Sequence, residues 1–187
     1  AQGQPGKLFL QQANGNFIED DQPDFALDAA CEDVDAVFFD ADNDGDLDVY
    51  LVVNQIIKGN NPSVFRPIIK DGSFPSTGRL YRNDWDSTLG HPVFTNVTKE
   101  AGVTIEGYGH GVNICDINRD GWKDIFVTND FNSNDLFYIN NHDGTFTNKA
   151  ASYFKHTSAN GMGQDVIDMN NDGLSDVVEL DMNPEDN

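Results

Sequence analysis

Three nine-residue acidic loops hold the side chains best placed to do chemistry in this chain. They are Asp40-Ala-Asp42-Asn-Asp44-Gly45-Asp46-Leu-Asp48, Asp116-Ile-Asn118-Arg-Asp120-Gly121-Trp122-Lys-Asp124 and Asp168-Met-Asn170-Asn-Asp172-Gly173-Leu174-Ser-Asp176. Each reads D-x-[DN]-x-D-G-x-x-D, with side-chain oxygens at positions 1, 3, 5 and 9. Calcium takes six to eight hard oxygens at about 2.3–2.6 Å, and one tight turn of this spacing supplies them. Glycine at position 6 permits the bend that lets position 7 offer its carbonyl.

The flanks decide which calcium fold this is. An EF-hand requires a helix on either side and a bidentate Glu at position 12. Position 12 is Leu51, Val127 and Glu179, so only the third loop satisfies that expression. Every loop instead runs into a short β-branched or aromatic segment: Asp48–Asn54, Asp124–Asn129 and Asp176–Asp181. These read as strands, and Glu179 is read with them.

A second element recurs with the loops. Leu8–Phe17, with Asn14-Gly15, parallels Leu136–Phe146, with Asp143-Gly144, and Leu80–Asn96 is a longer version. Asn-Gly and Asp-Gly between apolar runs signal hairpins, because these residues accept positive φ. The hairpin phenylalanines Phe17, Phe94 and Phe146 precede the first loop aspartate by 23, 22 and 22 residues. The loops start 76 and 52 residues apart, the excess lying in a Gly-, Pro-, Asn- and Ser-rich stretch between Gln55 and Gly78. A unit of about fifty residues made of short strands points to propeller blades. The expected fold is all-β: blade repeats at about 35–98, 111–148 and 164–187, with an N-terminal hairpin at 8–19. Gly107, Gly109, Gly111, Gly161 and Gly163 precede the inner strands and suit close strand packing better than a phosphate loop, which needs a following helix.

Charge narrows the partners. Eleven basic against 32 acidic residues give −21, which excludes nucleic acid and anionic membrane surfaces as natural targets. The loops hold five, three and three of these acids. Without metal they repel, so folding and calcium binding are expected to be linked. At about 1 mM calcium and a Kd on the order of 10⁻⁴ M, each site adds roughly 1.4 kcal/mol. Sites this weak fill only outside the cytosol. There is no apolar run of membrane-spanning length, and the start at Ala1-Gln2 reads as a processed or excised piece. Cys31 and Cys115 permit one disulfide, although two free thiols are favoured, and Asn96-Val-Thr98 fits the glycosylation expression.

The chain resembles the FG-GAP/VCBS repeat proteins, propeller repeats also found in integrin α-subunits. It is similar, more narrowly, to bacterial surface proteins that combine these repeats with an ASPIC/UnbV domain. The likeness is carried by Phe39–Leu51, Leu80–Asn83, Val127–Phe131, Leu136–Phe146, Met162–Leu174 and the tail Asp181–Asp186; Ile56–Pro75 departs as an insertion. The resemblance implies about three Ca²⁺. The first would be held by Asp40, Asp42, Asp44, the Asp46 carbonyl and Asp48. The second would be held by Asp116, Asn118, Asp120, the Trp122 carbonyl and Asp124. The third would be held by Asp168, Asn170, Asp172, the Leu174 carbonyl and Asp176. Members usually have about seven blades, so the chain is expected to be part of a larger propeller.

Three functions are compatible with these residues. One is an extracellular or cell-surface module that binds a protein or glycan, with structural calcium and no catalysis. Another is a subunit that self-assembles through the open edges at Leu8–Glu19 and Asp176–Asp181. The third, less favoured, is a glycan-active enzyme using two carboxylates. Asp20, Asp21, Asp24, Asp28, Asp84 and Asp86 are available for it, but most read as solvated loop acids, and the four histidines show no metal spacing. The hairpin residues Phe17, Phe94, Phe137 and Phe146 read as core, not as a sugar-stacking set.

Overall fold

The computed structural model describes residues 6–88, 90–131 and 133–182. The tail residues Asn183–Asp186 that contribute to the resemblance, and the end of the third expected unit, lie outside them. The elements are β1 (Leu8–Gln11), β2 (Phe17–Asp20), α1 (Pro23–Leu27), β3 (Asp33–Phe39), β4 (Asp48–Val53), β5 (Arg79–Asn83) and β6 (Phe94–Asn96). They continue with β7 (Gly109–Cys115), β8 (Asp124–Asn129), β9 (Leu136–Asn140), β10 (Phe146–Asn148), α2 (Ala150–Tyr153), β11 (Gly161–Ile167) and β12 (Asp176–Asp181).

The fold is all-β and built from antiparallel neighbours. Strands β3-β4-β5-β6 form one four-stranded sheet and β7-β8-β9-β10 another, while β1-β2 and β11-β12 form two-stranded sheets. Each acidic loop closes a hairpin in one register: the residue before position 1 pairs with position 9, as Phe39↔Asp48, Cys115↔Asp124 and Ile167↔Asp176.

The strand period of two sorts side chains between opposite faces. In β8, Ile125 and Val127 join a cluster with Tyr50, Val52 and Leu80 of the preceding sheet. Phe126, between them, points the other way, to Phe137 and Ala150, with Val166 and Val177 of the last hairpin beside it. Val49, Tyr81 and Phe94 on the far face of the first sheet pack with Leu8 and Phe25. The sheets therefore stack face to face in chain order. Gly109 makes one approach possible: a Cβ there would lie 2.3 Å from Val52 Cγ1.

The structure corrects several expectations. Phe94, Phe137 and Phe146 are buried, but Phe17 is 62% exposed, because the β1-β2 hairpin reaches the core through Leu8 and turns β2 to solvent. The acids after β2 are not all solvated. Asp24 accepts Asn96 N at 2.8 Å, and Asp28 accepts Asn96 Nδ2 at 2.9 Å and the Tyr81 hydroxyl. Gln22 fixes the start of α1 by donating to Pro92 O and accepting Phe94 N, both at 2.9 Å. Pro at the first turn suits this short helix, which the strand pattern did not signal.

The stretch at 56–75 is irregular but anchored. Glu106, 1% exposed, receives Arg66 through both oxygens at 2.5 and 2.7 Å and Ile69 N at 2.7 Å. The Arg66 guanidinium also sits 4.6 Å above the Phe74 ring. Cys31 and Cys115 are both free thiols.

Candidate metal centres

All three loops fold by the same hydrogen bonds. The position 6 glycine N–H donates to the position 1 carboxylate: Gly45 to Asp40 at 3.1 Å, Gly121 to Asp116 at 2.9 Å and Gly173 to Asp168 at 2.8 Å. Position 5 N–H donates to the position 3 oxygen of Asp42, Asn118 or Asn170 at 3.3, 3.1 and 2.9 Å. Position 7 N–H, from Asp46, Trp122 and Leu174, donates to Asp44, Asp120 and Asp172 at 3.1, 2.8 and 2.8 Å. Position 2 N–H donates to the position 9 carboxylate of Asp48, Asp124 and Asp176 at 2.8, 3.0 and 3.0 Å. Such local bonds wrap the backbone around its own acids.

Glycines 45, 121 and 173 have φ of 99°, 87° and 81°. Position 4 is left-handed too, as Asn43, Arg119 and Asn171 at 58°, 62° and 61°. Asn is the usual non-glycine choice there, so two of these were readable in the sequence and Arg119 was not.

The position 9 carboxylate also reaches the next hairpin. Asp48 accepts Asn83 N at 2.8 Å and Asp124 accepts Asn140 N at 3.0 Å. Both aspartates are buried. Burial pushes the Asp48 carboxyl up to about 6 against its two N–H bonds, and it raises Asp124 in the same way. Asn140 Nδ2 then donates to Ala41 O at 2.8 Å and so ties the second sheet to the first loop.

The loops differ in how their acids converge. Oxygens of Asp40, Asp42 and Asp48, at positions 1, 3 and 9, lie within 4.8 Å of one another. The second and third loops have an amide at position 3, and there it donates to position 5: Asn118 Nδ2 to Asp120 at 2.6 Å and Asn170 Nδ2 to Asp172 at 3.1 Å. Asp44 is outside the three-acid cluster of its loop. Asp40 Oδ1 and Asp46 Oδ1 are buried without a hydrogen-bond partner. Burial, then the charge of Asp44, raises the pKa of both Asp42 and Asp46. Crowded hard oxygens, with Asp40 Oδ1 orphaned among them, fit a calcium ion: its charge offsets the repulsion and the orphan acceptor gains a ligand.

His142 was not readable as part of a site. Its Nε2 lies 2.7 Å from Asp120 Oδ2, and its ring stacks on Trp122 at 4.9 Å. It also lines a cavity of about 420 Å³ beside the first loop, with Asp42, Arg82 and Glu100 over an apolar floor of Leu80 and Val97.

Residues 116–179 match the model of the FG-GAP-like repeat. The match opens on the first aspartate of the second loop and runs through the third. The chain is also similar to human cartilage acidic protein 1, 36% identical over 94 residues. That similarity takes in 50% of this chain and 14% of the human protein, so the chain spans only a small part of that relative. An all-β stack of antiparallel sheets carrying an FG-GAP-like repeat is consistent with a propeller-like binding module.

Proposed function

We propose that the chain is a calcium-binding β-propeller module that acts outside the cytosol, at a cell surface, and presents its loop face to a protein or glycan. The observation that carries this reading is the common hydrogen-bond skeleton of the three loops. Each binds position 1 to position 6 and position 9 to position 2, and in the first loop the oxygens of Asp40, Asp42 and Asp48 come within 4.8 Å of one another.

Calcium would be held by Asp40, Asp42, Asp44, Asp48 and the Asp46 carbonyl, and by the corresponding groups of the other two loops. It would supply charge neutralisation and stiffness. The chain's own residues pass that stiffness on, through Asp48 to Asn83 and through Asp124 to Asn140. The cavity beside the first loop offers carboxylates, Arg82 and an apolar floor to a partner.

Binding is favoured over catalysis because several acids outside the loops are already engaged. Asp24 and Asp28 hold β6, Asp84 pairs with Arg82 at 2.8 Å, and Asp86 accepts Thr88 N at 2.7 Å. The reading is tested by calorimetric ion counting with thermal unfolding in EDTA and across a calcium titration. About three loop-dependent ions with a rise in Tm are expected; no binding and no rise would overturn it.

A further inference from the structure

A different pair of carboxylates, remote from the acidic loops in the chain, joins the second sheet to the last hairpin. Asp135, just before β9, is 0% exposed. Its Oδ1 accepts Asn129 N at 2.9 Å, while its Oδ2 is buried without a partner. Glu179 of β12 has a buried, unpartnered Oε1. The two acids meet at Gly161. A Cβ built there would lie 2.6 Å from Glu179 Oε1, 2.9 Å from Asn129 O and 3.2 Å from Asp135 Oδ1, so glycine leaves the space that these oxygens share.

Glu179 breaks the repeat. It occupies loop position 12, where the other units have Leu51 and Val127, and a carboxyl at such a position calls for a compensating partner. The charges acting on the pair do not provide one. Burial raises both acids most; the charge of Glu179 adds to it at Asp135 against the Asn129 N–H, and the charge of Asp181 adds to it at Glu179 against hydrogen bonds with Asp135 and Ser158. Neither acid enters an ion pair with a Lys, Arg or His among the described residues. Ser158 adds a hydroxyl that donates to Asp181, and a cavity of about 230 Å³ lined by His156, Thr157, Ser158, Glu179 and Asp181 opens beside Glu179.

Two orphaned hard oxygens, a nearby hydroxyl and room for water are the chemistry of a hard divalent cation that keeps part of its hydration. We propose that Asp135 and Glu179, with Ser158 beside them, form a cation site separate from the acidic loops. The site clips the β11-β12 hairpin to the second sheet.

The test counts Ca²⁺ bound per chain, in buffer free of other divalent ions, for the wild type, Glu179→Leu and Asp135→Asn. Glu179→Leu restores an apolar residue of the kind the other repeats have and is expected to fold. Asp135→Asn keeps the acceptor for Asn129 N. The wild type should bind one more ion than either variant and gain more Tm from calcium. Equal counts in all three overturn the proposal. Equal counts with a wild-type stability advantage over Glu179→Leu in EDTA that grows as the pH falls would show that the pair shares a proton and no metal. The loop reading fails separately: the wild type would then bind a single ion, and the variants none.

Discussion

Replacing Asp124 by Asn separates hydrogen bonding from metal binding within one side chain. Asp124 is fully buried and accepts Ile117 N and Asn140 N, each at 3.0 Å. Asn keeps one acceptor and turns an amide NH₂ toward the other N–H. A hydrogen bond to a charged group contributes about 1.5–3 kcal/mol. Part of that loss is offset, since burial disfavours the carboxylate that Asn replaces. The metal-free variant should therefore be about 1–2 kcal/mol less stable than wild type. At about 10 mM calcium and a Kd on the order of 10⁻⁴ M, the second site adds about 2.7 kcal/mol to the wild type and little to the variant. For a chain of this size 1 kcal/mol moves Tm by about 2–4 °C. The Tm gap should be about 2–8 °C in EDTA and widen by about 5–11 °C in calcium. Scanning calorimetry of both chains in both buffers measures it. A gap of equal size in the two buffers would mean that Asp124 holds the backbone and no ion.

Other outcomes follow from the same geometry. Glu106→Gln removes the charge that Arg66 pairs with; because Arg66 is part-exposed, the loss should be about 2–3 kcal/mol, with protease cutting newly concentrated in 56–75. Gly109→Ala drives a methyl into Val52 and should cost about 1–3 kcal/mol by urea unfolding. Phe137→Ala should cost about 3–5 kcal/mol, whereas the exposed Phe17→Ser should leave the urea midpoint within about 0.5 kcal/mol of wild type. In EDTA, Asp48 should make stability fall as pH rises. Its folded pKa, about 6, lies above the ordinary carboxyl value of 3.8, so the proton is held more tightly in the folded chain. The advantage is complete below pH 3.8 and lost through pH 6, up to about 3 kcal/mol. A flat urea midpoint over that range would refute it.

What the sequence made legible was local. A metal loop is nine consecutive residues, and its skeleton is made of bonds inside that window, so the pattern of Asp, Asn and Gly announces it. The strands after each loop were readable because β-branched and aromatic residues alternate between two buried faces, as Ile125, Phe126 and Val127 do. What stayed hidden depends on which residues the fold brings together. Asn140 and Ala41 are 99 residues apart, and nothing in either marks the bond between them. The same is true of His142 on Asp120 and of Arg66 on Glu106. Phe17 misled because it repeats the pattern of Phe94 and Phe146 while the β1-β2 hairpin leaves it facing solvent.

The bond from the position 9 carboxylate to the following hairpin has a consequence for how such a chain can vary. Asp48 and Asn83 are 35 residues apart; Asp124 and Asn140 are 16 apart; yet the bond is 2.8 Å in one unit and 3.0 Å in the other. The additional residues enter between β4 and β5, at the strand ends remote from the metal loop. That rim can lengthen without disturbing the loop rim, because β5 is aligned from the end that does not change. Loop-closure entropy grows only slowly with length, so the rim tolerates growth thermodynamically as well as geometrically. The shorter β8-β9 connection lies at the same rim of the second sheet but carries the buried Asp130, Ser133 and Asp135, so the longer β4-β5 connection, with Val64 and Phe65 exposed, is the natural site for grafting a foreign segment while the acidic loops are left intact.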